Sequence, residues 1–249
     1  MPILGIDIGG SGIKGALVDI QSGDLVAPRV RYPTPEAAVP YDVAELVAKL
    51  AKQLDYNGPI GCGFPSVVLN GVVMTAANID QGWIGLDANA LFGQHTKYPV
   101  YVLNDADAAA MAEMKFGAGK NYQKGVVLLI TLGTGIGTAV FTDGQLLPNM
   151  EFGHLQIRGK DAEKRAADSA RQRKNLTWVE YAERLQEYLK EMERLFWPDL
   201  IVIGGGISKE SEKFFQYITL RTKMVPAQLL NQAGIIGAAV YAYKKSLAA

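Results

Sequence analysis

Cysteine and histidine are almost absent from this chain. Its 249 residues include one cysteine, Cys62, and two histidines. A single cysteine excludes an internal disulfide framework and a cysteine-rich zinc site. The 25 basic and 25 acidic residues cancel to a formal net charge of zero, so the whole-chain charge gives no reason to expect binding to nucleic acid or a membrane.

Long apolar runs and an N-terminal basic region are also missing. No uninterrupted apolar stretch is long enough to span a bilayer. Residues 1–7 reach an acidic residue without any basic region before it, so we expect no signal peptide. A cytoplasmic enzyme is the simplest setting that these absences leave. The length allows one or two domains with a sizeable core.

A short apolar strand that runs into glycines occurs twice, at residues 3–19 and 127–142. With one residue skipped, the aligned pairs are Gly9 with Gly133, Gly12 with Gly135, and Asp7 with Thr131. An internal repeat affects the assignment of the whole fold, so it is considered before any local prediction. Two copies are too few for a solenoid, so they indicate two similar lobes that each offer a glycine turn to one ligand.

The residues after each glycine turn determine its type. Gly10–Gly15 formally matches G-x-G-x-x-G, but a dinucleotide fingerprint requires a helix next. Residues 16–20 are typical of a second strand instead, and the second copy continues in the same way. Each copy is therefore predicted to be strand, glycine turn, strand. The N–H groups of such turns can form an anion-binding nest, and ordinary hairpins are the alternative.

The rest of the chain alternates helical and strand patterns, which favours an α/β fold. A hairpin is predicted around Asn70–Gly71. The predicted helices cover residues 43–54, 106–116, 176–196 and 231–245, and the predicted strands cover residues 60–64, 99–103 and 200–203.

Five motifs in this sequence resemble those of the ROK family of sugar kinases. They are two phosphate motifs, a catalytic turn, a sugar motif and a later glycine motif, at Asp7–Lys14, Leu132–Gly137, Leu103–Ala106, Glu151–His154 and Ile203–Ser208. The resemblance implies the two-lobe actin-like ATPase (ribonuclease H-like) fold with a central cleft. We expect residues 1–108 to form a small N-terminal lobe and residues 109–249 a larger C-terminal lobe, with the final helix packing back on the first.

Within the family, the chain is similar to the polyphosphate glucokinases. The segments that carry this similarity are Gly63–Pro65, Thr75–Asn78, Trp83–Gly85 and residues 177–185. The family's cysteine-rich zinc motif is missing after His154 and is replaced by Leu155–Lys160. We therefore expect no structural zinc, and we expect the sugar-holding glutamate beyond those cysteines to be lost as well.

Asp105 is the candidate general base, which would accept the proton of the attacking sugar hydroxyl. The alternative is a plain N-cap for the helix that starts at Ala106. A helix N-terminus weakens a base because it depresses the pKa of a carboxyl group, but a loose transition state needs the proton late. Asn104 is predicted to hold a neighbouring sugar hydroxyl.

The resemblance implies that Asp7 holds Mg²⁺, through water. A carboxylate satisfied by turn N–H groups is the alternative. Lys14 either adds charge at the phosphates or is a solvated strand lysine. The residues predicted to bind phosphate are Gly9, Gly10, Ser11, Gly12, Lys14, Thr131, Gly133, Thr134, Gly135 and Gly205.

Glu151 and His154 are predicted to hold adjacent sugar hydroxyls, because a sugar site needs fixed polar partners. Asn78 is a weaker candidate for a sugar contact. Residues 158–174 form a basic run, which is either a solvated helix face or a track for a polyanion. Its cations are Arg158, Lys160, Lys164, Arg165, Arg171, Arg173 and Lys174. The run lacks the interleaved aromatics of a single-strand nucleic-acid platform.

These observations predict a kinase that phosphorylates the 6-hydroxyl of glucose with polyphosphate and Mg²⁺. An ATP-dependent gluco- or mannokinase of the same fold is the main alternative. A sugar-sensing regulator is a second alternative, but regulators of this kind carry an N-terminal helix-turn-helix, which the residues before Ile3 are too few to form. A nucleotide-dependent hydrolase is disfavoured because water needs no hydroxyl-holding pair. We expect glucose and polyphosphate as partners, a homodimer, and neither nucleic acid nor a membrane.

Overall fold

The computed structural model describes residues 2–77 and 79–248. They divide into two compact units: Glu113–Asn231 forms unit 2, and the chain before and after it forms unit 1. The domain boundary predicted between residues 108 and 109 stays a prediction. None of the described helices is both long and apolar enough to cross a bilayer.

Short strands and helices alternate along the described chain. The strands are β1 Pro2–Gly9, β2 Gly12–Asp19, β3 Val30–Tyr32, β4 Ile60–Phe64, β5 Val68–Leu69, β6 Val72–Val73, β7 Val100–Asn104, β8 Val126–Leu132, β9 Ile136–Thr142, β10 Gln145–Leu147, β11 Gln156–Ile157, β12 Lys160–Asp161, β13 Leu200–Gly204 and β14 Lys223–Pro226. The α-helices are α1 Pro40–Gln53, α2 Ala88–Thr96, α3 Asp105–Phe116, α4 Glu163–Ala166, α5 Asp168–Arg173, α6 Trp178–Phe196 and α7 Ala233–Ser246.

Unit 1 is built on a five-stranded mixed sheet in the order β3-β2-β1-β4-β7. The first three strands are antiparallel, whereas β4 and β7 run parallel to β1. Helix α7 packs on β1 and β4, where two glycines allow its backbone to approach. A Cβ atom at Gly5 or Gly61 would lie 1.9 Å from the carbonyl oxygen of Ile235 or Ala238, respectively.

Unit 2 repeats this topology with the order β10-β9-β8-β13-β14. Strands β8, β9 and β10 are antiparallel, and β13 and β14 run parallel to β8. Strands β1 and β2 correspond to β8 and β9, so both predicted strand–turn–strand units are confirmed. Ile8 pairs with Ile13 across four intervening residues, whereas the aligned pair of Leu132 and Ile136 encloses three. This difference accounts for the skipped residue in the sequence alignment.

Helix α6 supplies much of the core of unit 2. It starts with a capping box, in which Thr177 and Glu180 satisfy each other's backbone N–H groups. Tyr181, Leu185 and Leu189 are then fully buried along one face. The helix ends at Phe196. The next residue, Trp197, has a left-handed φ of 49° and is followed by Pro198. The predicted helix over residues 176–196 is thus confirmed apart from its first two residues.

Candidate active site

The first glycine turn joins β1 to β2 and is held through its carbonyl groups. Thr34 Oγ1 donates to the Gly9 oxygen and Arg31 Nη2 donates to the Ser11 oxygen at 2.6 Å. The N–H groups of Gly10 and Ser11 make no hydrogen bond to any residue that the structure describes. A turn whose carbonyls are occupied and whose N–H groups remain available is suited to an anion.

Arg31 brings a cation to this turn that the sequence analysis missed. It lies on edge strand β3, directly opposite Lys14 of β2. Its guanidinium covers Gly12 so closely that a Cβ atom there would be 2.6 Å from the Arg31 Nε. No local motif marks Arg31, because its proximity to the turn arises only from the pairing of β2 with β3.

Asp7 and Lys14 face each other across β1 and β2 and form an ion pair. Lys14 Nζ lies 3.3 Å from Asp7 Oδ2, with 24% and 21% of the two side chains exposed. Lys14 is therefore not a freely solvated strand lysine. No turn N–H donates to Asp7 among the described residues, so that alternative is wrong as well. Gly234, in the first turn of α7, makes room for the carboxylate, because a Cβ atom there would lie 3.1 Å from Asp7 Cγ.

Asn104, rather than Asp105, caps helix α3. Its Oδ1 accepts the N–H groups of Ala106 at 2.8 Å and Asp107 at 3.1 Å. Its Nδ2 donates to the Ser66 carbonyl at 3.1 Å, and the residue is 7% exposed. Asp105 is the first residue of α3, and its Oδ1 accepts the Ala106 N–H at 2.8 Å. The expectation that Asp105 is the N-cap of a helix starting at Ala106 is wrong by one residue.

Parallel strands bring Asp7 and the Asn104 turn to the same edge of the unit 1 sheet. Asp7 pairs with Gly63, and the residue after Gly63, Phe64, pairs with Asn104. A Cβ atom at Gly63 would lie 3.7 Å from the Cα of Asp105. Ligands in open α/β sheets bind at the carboxyl ends of strands, and both acidic residues lie there.

Ser66 is a polar residue at this edge that the sequence analysis did not single out. It is 5% exposed, and its hydroxyl has no hydrogen-bond partner among residues 2–77 and 79–248. An unsatisfied buried hydroxyl costs about 1–3 kcal/mol, so Ser66 is a candidate for a substrate contact. A pocket beside the first glycine turn is lined by Gly9, Gly10, Thr34, Phe64, Pro65 and Trp83, among others.

The second glycine turn joins β8 to β9 and is held by Ser169 of α5. The Ser169 N–H donates to the Gly133 oxygen at 3.0 Å, and its hydroxyl donates to the Thr134 oxygen at 2.6 Å. Gly133 N–H closes the turn on the Gly135 oxygen at 3.0 Å. The N–H groups of Thr134 and Gly135 have no partner among the described residues.

The later glycine motif lies against this turn. Gly204 pairs with Thr131 where β13 runs beside β8. Gly205 has a left-handed φ of 82°, and a Cβ atom on it would lie 2.3 Å from the Leu132 oxygen. Only glycine fits at this position. The predicted phosphate residues Thr131, Gly133 and Gly205 thus come together at one edge of the unit 2 sheet.

Glu151 directly precedes a short 3-10 turn at Phe152–His154, and His154 is the last residue of that turn. The glycine between them is required by packing, since a Cβ atom at Gly153 would lie 2.3 Å from the Ile136 oxygen. His154 Nε2 is 4.0 Å from Glu151 Oε2. Partial burial raises the pKa of the Glu151 carboxyl, the neighbouring His154 opposes that shift, and Glu163 adds to it.

Glu163 adds a carboxylate to this pair, although the loss of the family's sugar-holding glutamate was expected. Ligand atoms of His154, Asp161 and Glu163 lie within 4.8 Å of one another. Asp161 is already bound by Lys164 at 3.0 Å. Glu163 Oε2 also accepts the Ile136 N–H at 3.4 Å, so one carboxylate lies within 4.8 Å of His154 in the sugar motif and bonds to the residue after the second glycine turn.

The basic run folds into β12, α4 and α5 rather than into one solvated helix face. Four of its cations are in ion pairs: Arg158 and Arg165 with Glu187, Lys164 with Asp161, and Arg171 with Asp168. Arg171 also stacks on Trp178. The remaining cations are Lys160, Arg173 and Lys174. Asn78, the weaker candidate for a sugar contact, lies outside the described residues.

Residues 3–167, which are more than half of the chain, match the ROK family. The chain belongs to the ROK family. It is 47% identical over 237 residues to a polyphosphate glucokinase of Mycobacterium tuberculosis (strain CDC 1551 / Oshkosh), covering 95% of this chain and 89% of that protein.

Solved structures define the fold. The chain is 48% identical to an inorganic polyphosphate/ATP-glucomannokinase from Arthrobacter sp. strain KM, with a TM-score of 0.93 and coverage of 98% and 99% of the two chains. A ROK family glucokinase from Streptomyces griseus, at 24% identity and a TM-score of 0.84, covers 98% of this chain and 100% of its own. The predicted α/β actin-like ATPase fold of the ROK sugar kinases is therefore confirmed.

Proposed function

We propose that this protein transfers the terminal phosphoryl group of inorganic polyphosphate to the 6-hydroxyl of glucose and releases glucose 6-phosphate. The observation that carries the proposal is Asp105 at the carboxyl edge of the unit 1 sheet, beside Asp7 and an anion-binding turn. The relatives support the choice of substrates, since one is a polyphosphate glucokinase and another a polyphosphate/ATP-glucomannokinase.

In the proposed reaction, Asp105 accepts the proton of the 6-hydroxyl as its oxygen attacks the terminal phosphorus. The bond from that phosphorus to the bridging oxygen breaks, and the shortened polyphosphate leaves. Asn104 also accepts the Ala106 N–H, so Asp105 is not the sole acceptor at the start of the helix. A carboxylate at a helix N-terminus is a weak base, which suffices for a loose transition state with late proton transfer.

Sugar hydroxyls would be held by Asn104, Glu151 and His154, and we add Glu163 and Ser66 as candidates. The proposal for Glu163 rests on its distance to His154, and that for Ser66 on its unpartnered buried hydroxyl. Acceptors and donors in fixed positions suit a polyol, because each buried hydroxyl needs a partner. Asn78 stays a prediction.

The phosphates would be held by the N–H groups of both glycine turns, with Arg31 adding positive charge at the first. The turn residues are Gly9, Gly10, Ser11, Gly12, Thr131, Gly133, Thr134, Gly135 and Gly205. Lys14 would act here only after leaving Asp7, since the two are paired at 3.3 Å. The carboxylate of Glu163 at the second turn would repel phosphate, so this turn is expected to bind its anion more weakly than the first.

Asp7 fits Mg²⁺ as an acidic side chain near the end of β1, beside the first glycine turn, because Mg²⁺ bound to phosphates takes only one or two protein carboxylates. The ion would supply charge neutralisation at the reacting phosphates. Asp7 would bind it through water, since Lys14 already occupies one of its oxygens. We propose no structural zinc. The homodimer, the central cleft and the cytoplasmic location also stay predictions.

The test is a comparison of donors with purified protein, glucose and Mg²⁺. We expect glucose 6-phosphate to form faster with long-chain polyphosphate than with ATP at equal phosphoryl concentration. Turnover with ATP that equals or exceeds turnover with polyphosphate would support an ATP-dependent gluco- or mannokinase instead. Saturable sugar binding without product from either donor would support the sugar-sensing regulator.

A further inference from the structure

Five cations of unit 2 gather around Lys174, and we call them the cation cluster: Lys160, Arg165, Arg173, Lys174 and Arg184. Lys160 belongs to β12, Arg165 to α4, Arg173 to the end of α5, and Arg184 to α6. The pKa of Lys174 is held below its usual value. The positive charge of Arg184 is the largest cause, followed by some loss of hydration and by the charges of the three other cations. Arg184 lies outside the basic run, so the sequence pattern did not associate it with these residues.

The acidic residues nearby are already engaged. Asp161 pairs with Lys164, Asp168 with Arg171, and Glu187 with both Arg158 and Arg165. Glu180 accepts hydrogen bonds from Thr177. These bonds, and to a smaller extent the charge of Arg184, lower the pKa of its carboxyl group. Among the described residues, Lys160, Arg173, Lys174 and Arg184 make no ion pair. The cluster therefore has more positive than negative charge.

Two guanidinium nitrogens in the cluster lack an acceptor. Arg184 Nη1 and Arg165 Nε are both buried and have no hydrogen-bond partner in the part of the chain that the structure describes. A buried donor without an acceptor is costly, and more so when it carries charge. An anion that reached these nitrogens would remove that cost and reduce the repulsion among the five cations.

Helix α5 leads from the second glycine turn to this cluster. Ser169 near its start holds the turn through two hydrogen bonds, and Arg173 and Lys174 lie at its other end. Six helical residues span about 9 Å. A chain of phosphates that started at the turn and ran along α5 would reach the cluster with phosphates that take no part in the transfer.

We propose that the cation cluster binds the distal phosphates of a long inorganic polyphosphate chain. The proposal rests on the proposed function and adds a subsite that serves long donors only. A triphosphate held at the second glycine turn would not need this subsite. The three exposed members, Lys160, Arg173 and Lys174, give the site its salt sensitivity, because salt screens exposed charges within about 10 Å at 0.1 M.

The experiment compares two double variants that each remove two positive charges. K174Q/R184Q removes cations of the cluster. R158Q/R194Q is the control, because Arg158 and Arg194 are exposed and paired with Glu187 and Glu191. Anisotropy with end-labelled long-chain polyphosphate, without glucose, gives the Kd, and steady-state assays give KM for long-chain polyphosphate, tripolyphosphate and glucose.

We expect K174Q/R184Q to raise the Kd and KM for long-chain polyphosphate about three- to tenfold, as two partly exposed charges allow, and to weaken the salt dependence of binding. The KM values for tripolyphosphate and glucose should not change. R184K, which keeps the charge but loses Nη1, should weaken binding less than R184Q, and thermal unfolding checks that each variant is folded.

An equal effect of R158Q/R194Q would overturn the proposal, because the cause would then be overall charge. An equal rise in KM for tripolyphosphate would also overturn it, since the cluster would then belong to the transfer site. If the wild type bound long polyphosphate but did not phosphorylate glucose with it, the proposed function would fail, and the anisotropy comparison would still test the cluster.

Discussion

Helix capping and catalysis are alternative roles of Asp105 alone in the sequence analysis. In the structure, the neighbouring Asn104 is the cap of α3. Asn104 is buried and uses its amide to cap α3 and to bind the Ser66 carbonyl. Asp105 follows it as the first helical residue. Substitution of Asn104 should therefore lower stability as well as weaken sugar binding, whereas substitution of Asp105 should lower catalysis.

We expect Asp105→Asn to lower kcat by about 10²–10⁴-fold, the usual contribution of a general base, while the Kd for glucose changes little. The amide keeps the shape of the carboxyl group but cannot accept the proton. Asn104→Ala serves as the matched comparison and should lower the free energy of unfolding by about 1 kcal/mol or more through loss of the cap. Near wild-type turnover in Asp105→Asn would leave Asp105 without a catalytic role.

The residues that sequence analysis found and those it missed differ in how they reach the site. Asp7, Asp105 and the glycines stand in contiguous motifs next to a strand end, so a linear pattern identifies them. Arg31 and Glu163 come to the glycine turns through strand pairing and through the packing of α4, and neither stands in a motif. Their positions follow from tertiary structure, which a single sequence does not encode in any short pattern.

At the scale of elements, the duplicated hairpin could be predicted because its buried strands are continuous apolar runs that end in glycine. The edge strands β3, β10 and β14 were not predicted, since they have three or four residues each and are largely not buried. Helix α2 was also missed. Its nine residues bury only Ala88, Phe92 and Thr96, which gives almost no amphipathic pattern.

The packing of α7 on the unit 1 sheet depends on two strand glycines, and this can be tested at Gly61. We expect Gly61→Ala to lower the free energy of unfolding by about 3 kcal/mol, the upper end of the range typical of overpacked cores. The new Cβ atom would lie 1.9 Å from the Ala238 carbonyl oxygen, and backbone cannot yield as a flexible side chain does. Chemical denaturation measures the difference.

Gly93→Ala is the control for that measurement. Gly93 lies within α2, and a Cβ atom there would be 3.4 Å from the Tyr98 oxygen, an ordinary contact. Alanine should leave stability unchanged or raise it by about 0.5–1 kcal/mol, because glycine is a poor helix residue. Equal behaviour of the two variants would mean that α7 does not need the close approach at Gly61.

At the scale of the whole molecule, the two units differ in how the chain builds them. Unit 2 is continuous in sequence, and the buried Glu113 closes it by accepting the N–H groups of Ala118, Gln228 and Leu229. Unit 1 needs the last helix of the chain, since α7 has eight buried residues, including Ile235 and Ile236. The stability of unit 1 therefore depends on a segment far from it in sequence.

We expect a chain that ends at Asn231 to lose structure in unit 1 and to keep it in unit 2. Without α7, the sheet face of β1 and β4 loses its apolar cover, whereas the core of unit 2 around Leu185 and Ile203 contains no residue of α7. Hydrogen exchange resolves this, because amide protection follows local opening. Amides of β1 and β4 should exchange rapidly, and those of β8 and β13 should stay protected. A fragment Asp105–Asn231, which keeps α3 whole, should show the same protection in β8 and β13. Equal loss of protection in both sheets would mean that the two units unfold as one cooperative body, and unit 2 would then depend on α7 as much as unit 1 does.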